Sequence, residues 1–220
     1  MKVANPSKEM QPVVYLVEDD LDLAQAMQLL FKTEGLRLVH FDNGKSFLND
    51  AKDPGSAINM APAACVLLDI RLGSMSGLEV FEGLQNLDSL FIHPVIFLTG
   101  HADLQIAIDV MRKGAADFVT KPFDSLFLLQ KVKLGLDKSA QLVEEREFRN
   151  DFVALLNDLS DREMTVLRHV VAGLHNKEIA ELLGNSSRTV EIHRANMFEK
   201  MGVKSAIELA RLMERHGSAK

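Results

Sequence analysis

Four polar sites in this 220-residue chain each follow a short apolar run: Glu18-Asp19-Asp20 after Val13 to Val17, Asp69 after Val66-Leu67-Leu68, Thr99 after Val95 to Leu98, and Lys121 after Phe118-Val119. Their types suit phosphoryl transfer. Carboxylates gathered from Glu18, Asp19 and Asp69 repel one another, each pair by about 4 kcal/mol at ~4 Å and an effective dielectric of ~20. A divalent cation relieves that repulsion, and a small site of carboxylates plus water suits Mg²⁺, which commonly pairs with phosphate. Lys121 adds a positive charge from the protein itself, and Thr99 a neutral hydroxyl donor. Cation, ammonium and hydroxyl all stabilise charge on phosphoryl oxygens, so Asp69 is the expected nucleophile. Gly100, directly after Thr99, leaves its backbone open to the approach of a phosphoryl oxygen.

Such a site needs elements that bring distant residues together. Val13 to Val17, Leu36 to Phe41, Ala64 to Leu68, Val95 to Leu98 and Asp117 to Val119 read as short strands buried on both faces. Helical patterns lie between them, as in Leu23, Met27, Leu30 and Phe31, which share one stripe. Lys52 to Pro62, with Pro54-Gly55, reads as a loop before the third strand. Alternating units of this kind build an α/β doubly wound, five-stranded parallel sheet, and ligands bind beyond the carboxyl ends of its strands. Taken singly, the acidic triplet caps a helix and Lys121 is a surface lysine. Taken together, four sites on four strands converge.

From Phe123 the pattern turns helical and runs through Leu136 into the charged stretch Glu144-Glu145-Arg146-Glu147, a solvated face on a helical linker. The last 60 or so residues carry no strand pattern. Ser160 with Glu163 and Ser205 with Glu208 match capping boxes, and Gly173 and Gly184 stand at helix stops. Four helices are expected, over 161–172, 177–183, 187–201 and 205–215, with a tight turn at Gly184-Asn185-Ser186 in the manner of a helix-turn-helix. The expected division is 1–138, a linker over 139–157, and a small all-α four-helix domain over 158–220.

Charge agrees with a division of labour. Residues 1–138 carry 13 Lys and Arg against 18 Asp and Glu, whereas residues 149–220 carry 11 against 10. An acidic front attracts cations and repels nucleic acid, so any DNA role belongs to the C-terminal part. The longest apolar runs are strand-sized, far short of the roughly 20 residues of a membrane span, and Met1 to Pro12 is polar, so a cytoplasmic protein with no membrane partner is expected. The single cysteine, Cys65, opens an apolar strand and reads as a buried, inert thiol.

Glu18-Asp19, Asp69-Ile70-Arg71-Leu72 with Met75-Ser76-Gly77, Thr99-Gly100 and Lys121-Pro122 resemble the receiver domain of a two-component response regulator. Leu159-Ser160-Asp161-Arg162-Glu163, Asn176-Lys177-Glu178-Ile179-Ala180 and Arg188-Thr189-Val190-Glu191-Ile192-His193 resemble the LuxR-type DNA-binding domain. Their order resembles the FixJ and NarL class of transcription factors. The resemblance implies that a sensor histidine kinase phosphorylates Asp69. It also implies Mg²⁺ held by Asp19, Asp69 and the backbone carbonyl of Arg71, with Glu18 reaching it through water. Thr99 and Lys121 would contact the phosphoryl group, and Phe118 would take the aromatic switch position. Arg71 and His101 stand where the family tunes the lifetime of the phosphoryl group. One residue departs from the pattern: Gly73 stands where the family usually has proline. That makes the loop more mobile, and the expectation is that the change leaves the acidic ligands untouched.

On the helix from Ser187 to Met201, Val190, Met197 and Met201 share an inner face. Glu191, Ile192 and Ala195 are then candidates for base edges, Glu191 toward a cytosine amino group and the other two toward a thymine methyl. Lys177, Arg188, Thr189 and Arg194 suit phosphates, and His193 suits packing as well as it suits DNA. With so little net positive charge a monomer should bind double-stranded promoter DNA poorly, so phosphorylation is expected to favour a homodimer that places two reading helices on half-sites. RNA polymerase is a further candidate partner. No turnover of an external substrate is expected. Two other readings compete. A Mg²⁺-dependent phosphatase of the haloacid dehalogenase type would need a second acid where Arg71 stands. A receiver-based protein-interaction regulator would use the C-terminal helices as a docking bundle.

Overall fold

The computed structural model describes residues 11–87, 91–100 and 104–217. Among them the chain forms two compact units, one ending at Glu144 and the other beginning at Glu145. The boundary falls inside the stretch expected to be a linker.

The first unit is built on strands β1 (Val13–Val17), β2 (Arg37–Phe41), β3 (Ala64–Asp69), β4 (Val95–Thr99) and β5 (Asp117–Thr120). They pair in parallel in the order β2-β1-β3-β4-β5, the flavodoxin-like doubly wound arrangement. Period-two alternation divides each strand between two cores. Val13, Tyr15 and Val17 of β1 join Val66, Leu68, Val95 and Phe97 on one face. Val14 and Leu16 join Cys65, Leu67, Ile96 and Leu98 on the other.

Helices α2 (Gly44–Lys52), α3 (Gly77–Gln85) and α4 (Leu104–Arg112) cover the first face through Phe47, Val80, Phe81 and Val110. Helices α1 (Leu21–Thr33) and α5 (Ser125–Asn157) cover the second through Met27, Phe31, Leu128 and Val132. Helix α5 is one continuous element of 33 residues. Its Gly135 lies so close to β3 that a Cβ there would stand 2.8 Å from the Cys65 sulfur. Burial pushes the Cys65 thiol up to about 12, which keeps it protonated and inert as expected.

The second unit contains α6 (Asp161–Val171), α7 (Asn176–Leu183), α8 (Ser187–Lys200) and α9 (Ala206–Gly217), each within two residues of its expected bounds. Val166, Leu167, Ile179, Val190, Met197, Met201 and Leu209 form its core, to which Phe152 from the last turns of α5 contributes. The Ser160 and Glu163 side chains complete a capping box at the start of α6. At the start of α9 the box is incomplete: Ser205 Oγ accepts from the Glu208 amide, but the Glu208 carboxylate takes the Lys204 amide instead. Among the described residues no helix is long and apolar enough to cross a membrane.

Candidate functional site

Strand register assembles the acidic pocket. Val17 pairs with Leu68, so the next residues on each strand, Glu18 and Asp69, emerge side by side. Asp69 pairs with Leu98 and Thr99 with Thr120, so Thr99 and Lys121 leave the same sheet edge one step further along. Glu18, Asp19 and Asp69 offer carboxylate oxygens that all lie within 4.8 Å of one another. Lys121 bridges two of them, with Nζ 2.7 Å from Glu18 Oε2 and 3.0 Å from Asp69 Oδ2.

Burial distinguishes the members. Glu18 is 1% exposed and Asp69 7%, while Asp19 faces solvent. Burial, reinforced by the Asp69 carboxylate, pushes the Glu18 carboxyl above its ordinary range against the pull of Lys121. Burial draws the Lys121 ammonium down, but Glu18 and Asp69 together outweigh it and hold its pKa above the usual lysine value. Thr99 is buried and its hydroxyl donates to the Gly100 carbonyl at 3.2 Å. The acidic triplet is divided: Asp20 caps α1 through the amides of Asp22 and Leu23, while Glu18 and Asp19 turn to the pocket. Phe118 is half-buried against the sheet core. Arg71 is exposed, two residues beyond the end of β3. His101 lies outside the described residues.

Gly73 requires a correction. Its backbone N–H donates to Asp19 Oδ2 at 3.1 Å, so the residue does touch an acidic ligand, through a donor that proline lacks. Two residues support the pocket in ways the sequence alone did not assign, although Gly77 stands in the Met75-Ser76-Gly77 motif. The imidazole Nε2 of His40 donates to the Glu18 carbonyl at 2.7 Å. Gly77, the first residue of α3, sits against the end of β3, where an added Cβ would overlap the Asp69 carbonyl oxygen. A glycine next to a capping serine, shortly after a strand, was the available signal for that close approach. Three hard carboxylates beside a lysine are a donor set that fits Mg²⁺.

In the second unit, Gly184 takes the left-handed conformation that ends α7, with φ 63°, and Ser186 caps α8 by accepting from the Thr189 amide. Val190, Met197 and Met201 point inward as expected. Lys177, Arg188, Glu191, Ile192 and Ala195 are exposed, whereas Thr189, His193 and Arg194 are partly buried. Arg188 reaches Glu191 at 3.3 Å along the outer face.

The family described as "Response regulator receiver domain" matches residues 14–133, and that described as "Bacterial regulatory proteins, luxR family" matches residues 157–213. The response regulator protein TmoT of Ectopseudomonas mendocina is 35% identical over 207 residues, covering 94% of this chain and 90% of that protein. The transcriptional regulatory protein FixJ of Azorhizobium caulinodans is 36% identical over 200 residues, covering 90% of each. The solved structure of the response regulator StyR superposes with a TM-score of 0.81 at 32% identity, over 93% of this chain and 99% of that one. A carboxylate pocket at the carboxyl edge of a doubly wound sheet, joined to a helix-turn-helix, places this chain among the two-component response regulators with a LuxR-type DNA-binding domain.

Proposed function

We propose that this chain is a cytoplasmic transcriptional regulator switched by phosphorylation of Asp69. The observation that supports this most is the Lys121 ammonium standing between Glu18 and Asp69, at 2.7 and 3.0 Å. A lysine there neutralises the resting carboxylates and is placed to move its charge to a phosphoryl oxygen. In the reaction, a carboxylate oxygen of Asp69 attacks the phosphorus of a phosphohistidine on the sensor kinase. The P–N bond breaks, the imidazole nitrogen takes up a proton, and an acyl phosphate remains on Asp69.

Asp19, Asp69 and the Arg71 carbonyl would hold Mg²⁺, with Glu18 behind them. When bound, the ion supplies charge neutralisation for the phosphoryl oxygens. The Thr99 hydroxyl turns from the Gly100 carbonyl toward the phosphoryl group, the backbone at Gly100 gives that group room, and Phe118 follows as the aromatic switch. The resulting state forms a homodimer that sets two copies of α8 in successive major grooves. Glu191, Ile192 and Ala195 meet base edges, while Lys177, Arg188 and Thr189 meet phosphates. RNA polymerase is the partner through which bound regulator acts. The receiver spans residues 1–138, the linker 139–157 and the DNA-binding domain 158–220, and the chain turns over no external substrate.

The test is intact-mass measurement after incubation with acetyl phosphate and Mg²⁺, read together with oligomeric state. Wild type gains one phosphate and dimerises, and Asp69→Asn does neither. Equal labelling of Asp69→Asn would sink the assignment. Steady release of phosphate from small phosphate esters would favour the phosphatase reading, and an absence of salt-dependent DNA binding the docking-bundle reading.

A further inference from the structure

Sequence reasoning gives Arg194 the same phosphate-facing role as Arg188, but the two arginines stand differently on α8. The Arg188 side chain is 81% exposed and reaches Glu191 on its own helix. Arg194 is partly buried, and its Nη1 donates to Asn176 Oδ1 at 2.9 Å. Its guanidinium also lies over the Phe198 ring, 5.2 Å from the centroid. Both a ring face and a side-chain acceptor on the neighbouring helix therefore hold it.

The positions of the two partners give this bond its meaning. Asn176 is the first residue of α7, and Arg194 lies midway along α8. The far end of α7 passes directly into the turn at Gly184 and the cap at Ser186. Helix α7 is thus tied to α8 at both ends, by the chain itself at one and by Arg194 and Asn176 at the other. Ile179, Ala180, Val190 and Met197 fill the space between, but apolar packing is non-directional and one turn leaves an angle free. A hydrogen bond from a planar guanidinium held over a ring face is directional.

We infer that Arg194 is a positioning residue: with Asn176 it sets the angle at which α8 presents Glu191, Ile192 and Ala195 to base edges. The inference rests on the reading that the outer face of α8 meets the bases. Lysine is no substitute at this position, because a single ammonium on a flexible stem cannot both sit over Phe198 and hold Asn176 in one geometry.

The test uses the full-length protein and a duplex that wild type enriches from a random library, together with the same duplex carrying one exchanged base pair. Two quantities are read: the affinity ratio between the duplexes, and the slope of log affinity against log salt. Arg194→Lys and Asn176→Ala each lower the ratio on the order of 10-fold, the double variant lowers it no further, and the slope stays constant. Asn176→Asp, which keeps the acceptor, keeps the ratio. Lys177→Ala, by contrast, weakens both duplexes equally and reduces the slope by about 1.

The inference is overturned if Arg194→Lys keeps the ratio while Arg194→Ala reduces the slope as Lys177→Ala does. Asn176→Ala carries the test should Arg194→Ala fail to fold, since it leaves α8 unaltered; an unchanged ratio there also overturns it. Failure of the underlying reading has a separate signature. If Glu191→Ala and Ile192→Ala both leave the ratio unchanged, the outer face of α8 does not read bases, and the inference falls with it.

Discussion

The backbone N–H of Gly73 donates to Oδ2 of Asp19 at 3.1 Å, a bond that joins the loop after β3 to the residue after Glu18 across 54 positions of sequence. It orients an exposed carboxylate at the mouth of the pocket, where a free Asp19 would sample several rotamers. Proline cannot make this bond, and alanine can, since a Cβ at this position would stand 3.6 Å from the same oxygen, in ordinary contact. Gly73→Pro should weaken Mg²⁺ binding by a factor of about 5, the value of roughly one hydrogen bond, with Gly73→Ala close to wild type. Calorimetric titration with Mg²⁺ distinguishes them, and equal affinities for both variants would refute the role of the bond.

Removing Lys121 leaves a buried glutamate beside Asp69 with its bridging cation gone. Lys121→Ala should destabilise the receiver by about 3 kcal/mol in chelator, because breaking a buried ion pair exposes the survivor to its full desolvation cost. Saturating Mg²⁺ should restore a substantial part of that loss, since cation binding to the native state adds to stability. Urea unfolding with and without Mg²⁺ measures both quantities.

The close approach of Gly77 to the Asp69 carbonyl has a steric consequence, because a backbone atom rather than a flexible side chain stands in the way. The Gly77 amide also donates to the Ile70 carbonyl at 2.9 Å, which closes the loop that carries Arg71 and Gly73. Gly77→Ala should therefore cost at least about 2 kcal/mol and slow the phosphorylation of Asp69 by acetyl phosphate. Denaturant midpoints and phosphorylation time courses provide the check, and a wild-type rate at wild-type stability would contradict the packing argument.

In the DNA-binding unit the hydrogen bond from Lys200, supported by the Ser160 amide, holds the Glu163 carboxyl down to about 2. A carboxyl with a depressed native pKa stabilises the fold fully above its unfolded value of 4.5 and loses that stabilisation as pH falls toward 2. Hydrogen-exchange protection factors in α6, which are corrected for the intrinsic pH dependence of exchange, should thus fall over that interval in wild type. Glu163→Gln, which keeps a cap but lacks the charge, should begin about 1 to 2 kcal/mol less stable near neutral pH and show a flatter acid limb. Parallel acid limbs in the two proteins would count against the Lys200 bond as the cause.

The doubly wound sheet was legible because short runs rich in Val, Leu, Ile and Phe, buried on both faces, mark the strands of a parallel core, and because Glu18, Asp69, Thr99 and Lys121 each stand where such a strand ends. The helical tail was equally legible from its capping serines and from Gly184, whose freedom at positive φ a tight turn requires. Side chains that act within a few residues of their own position, such as Asp20 on its cap, follow from local rules.

What local rules could not supply were relationships across elements. The bond from Gly73 to Asp19, the support of Glu18 by His40, the contact of Gly77 with Asp69 and the bond from Arg194 to Asn176 each join residues that only packing makes neighbours. The sequence by itself determined which residues could carry charge to the pocket and which helix faces turn inward. The tertiary structure decided which of them support one another, because hydrogen-bond partners depend on distances of a few ångströms that strand register and helix packing set together.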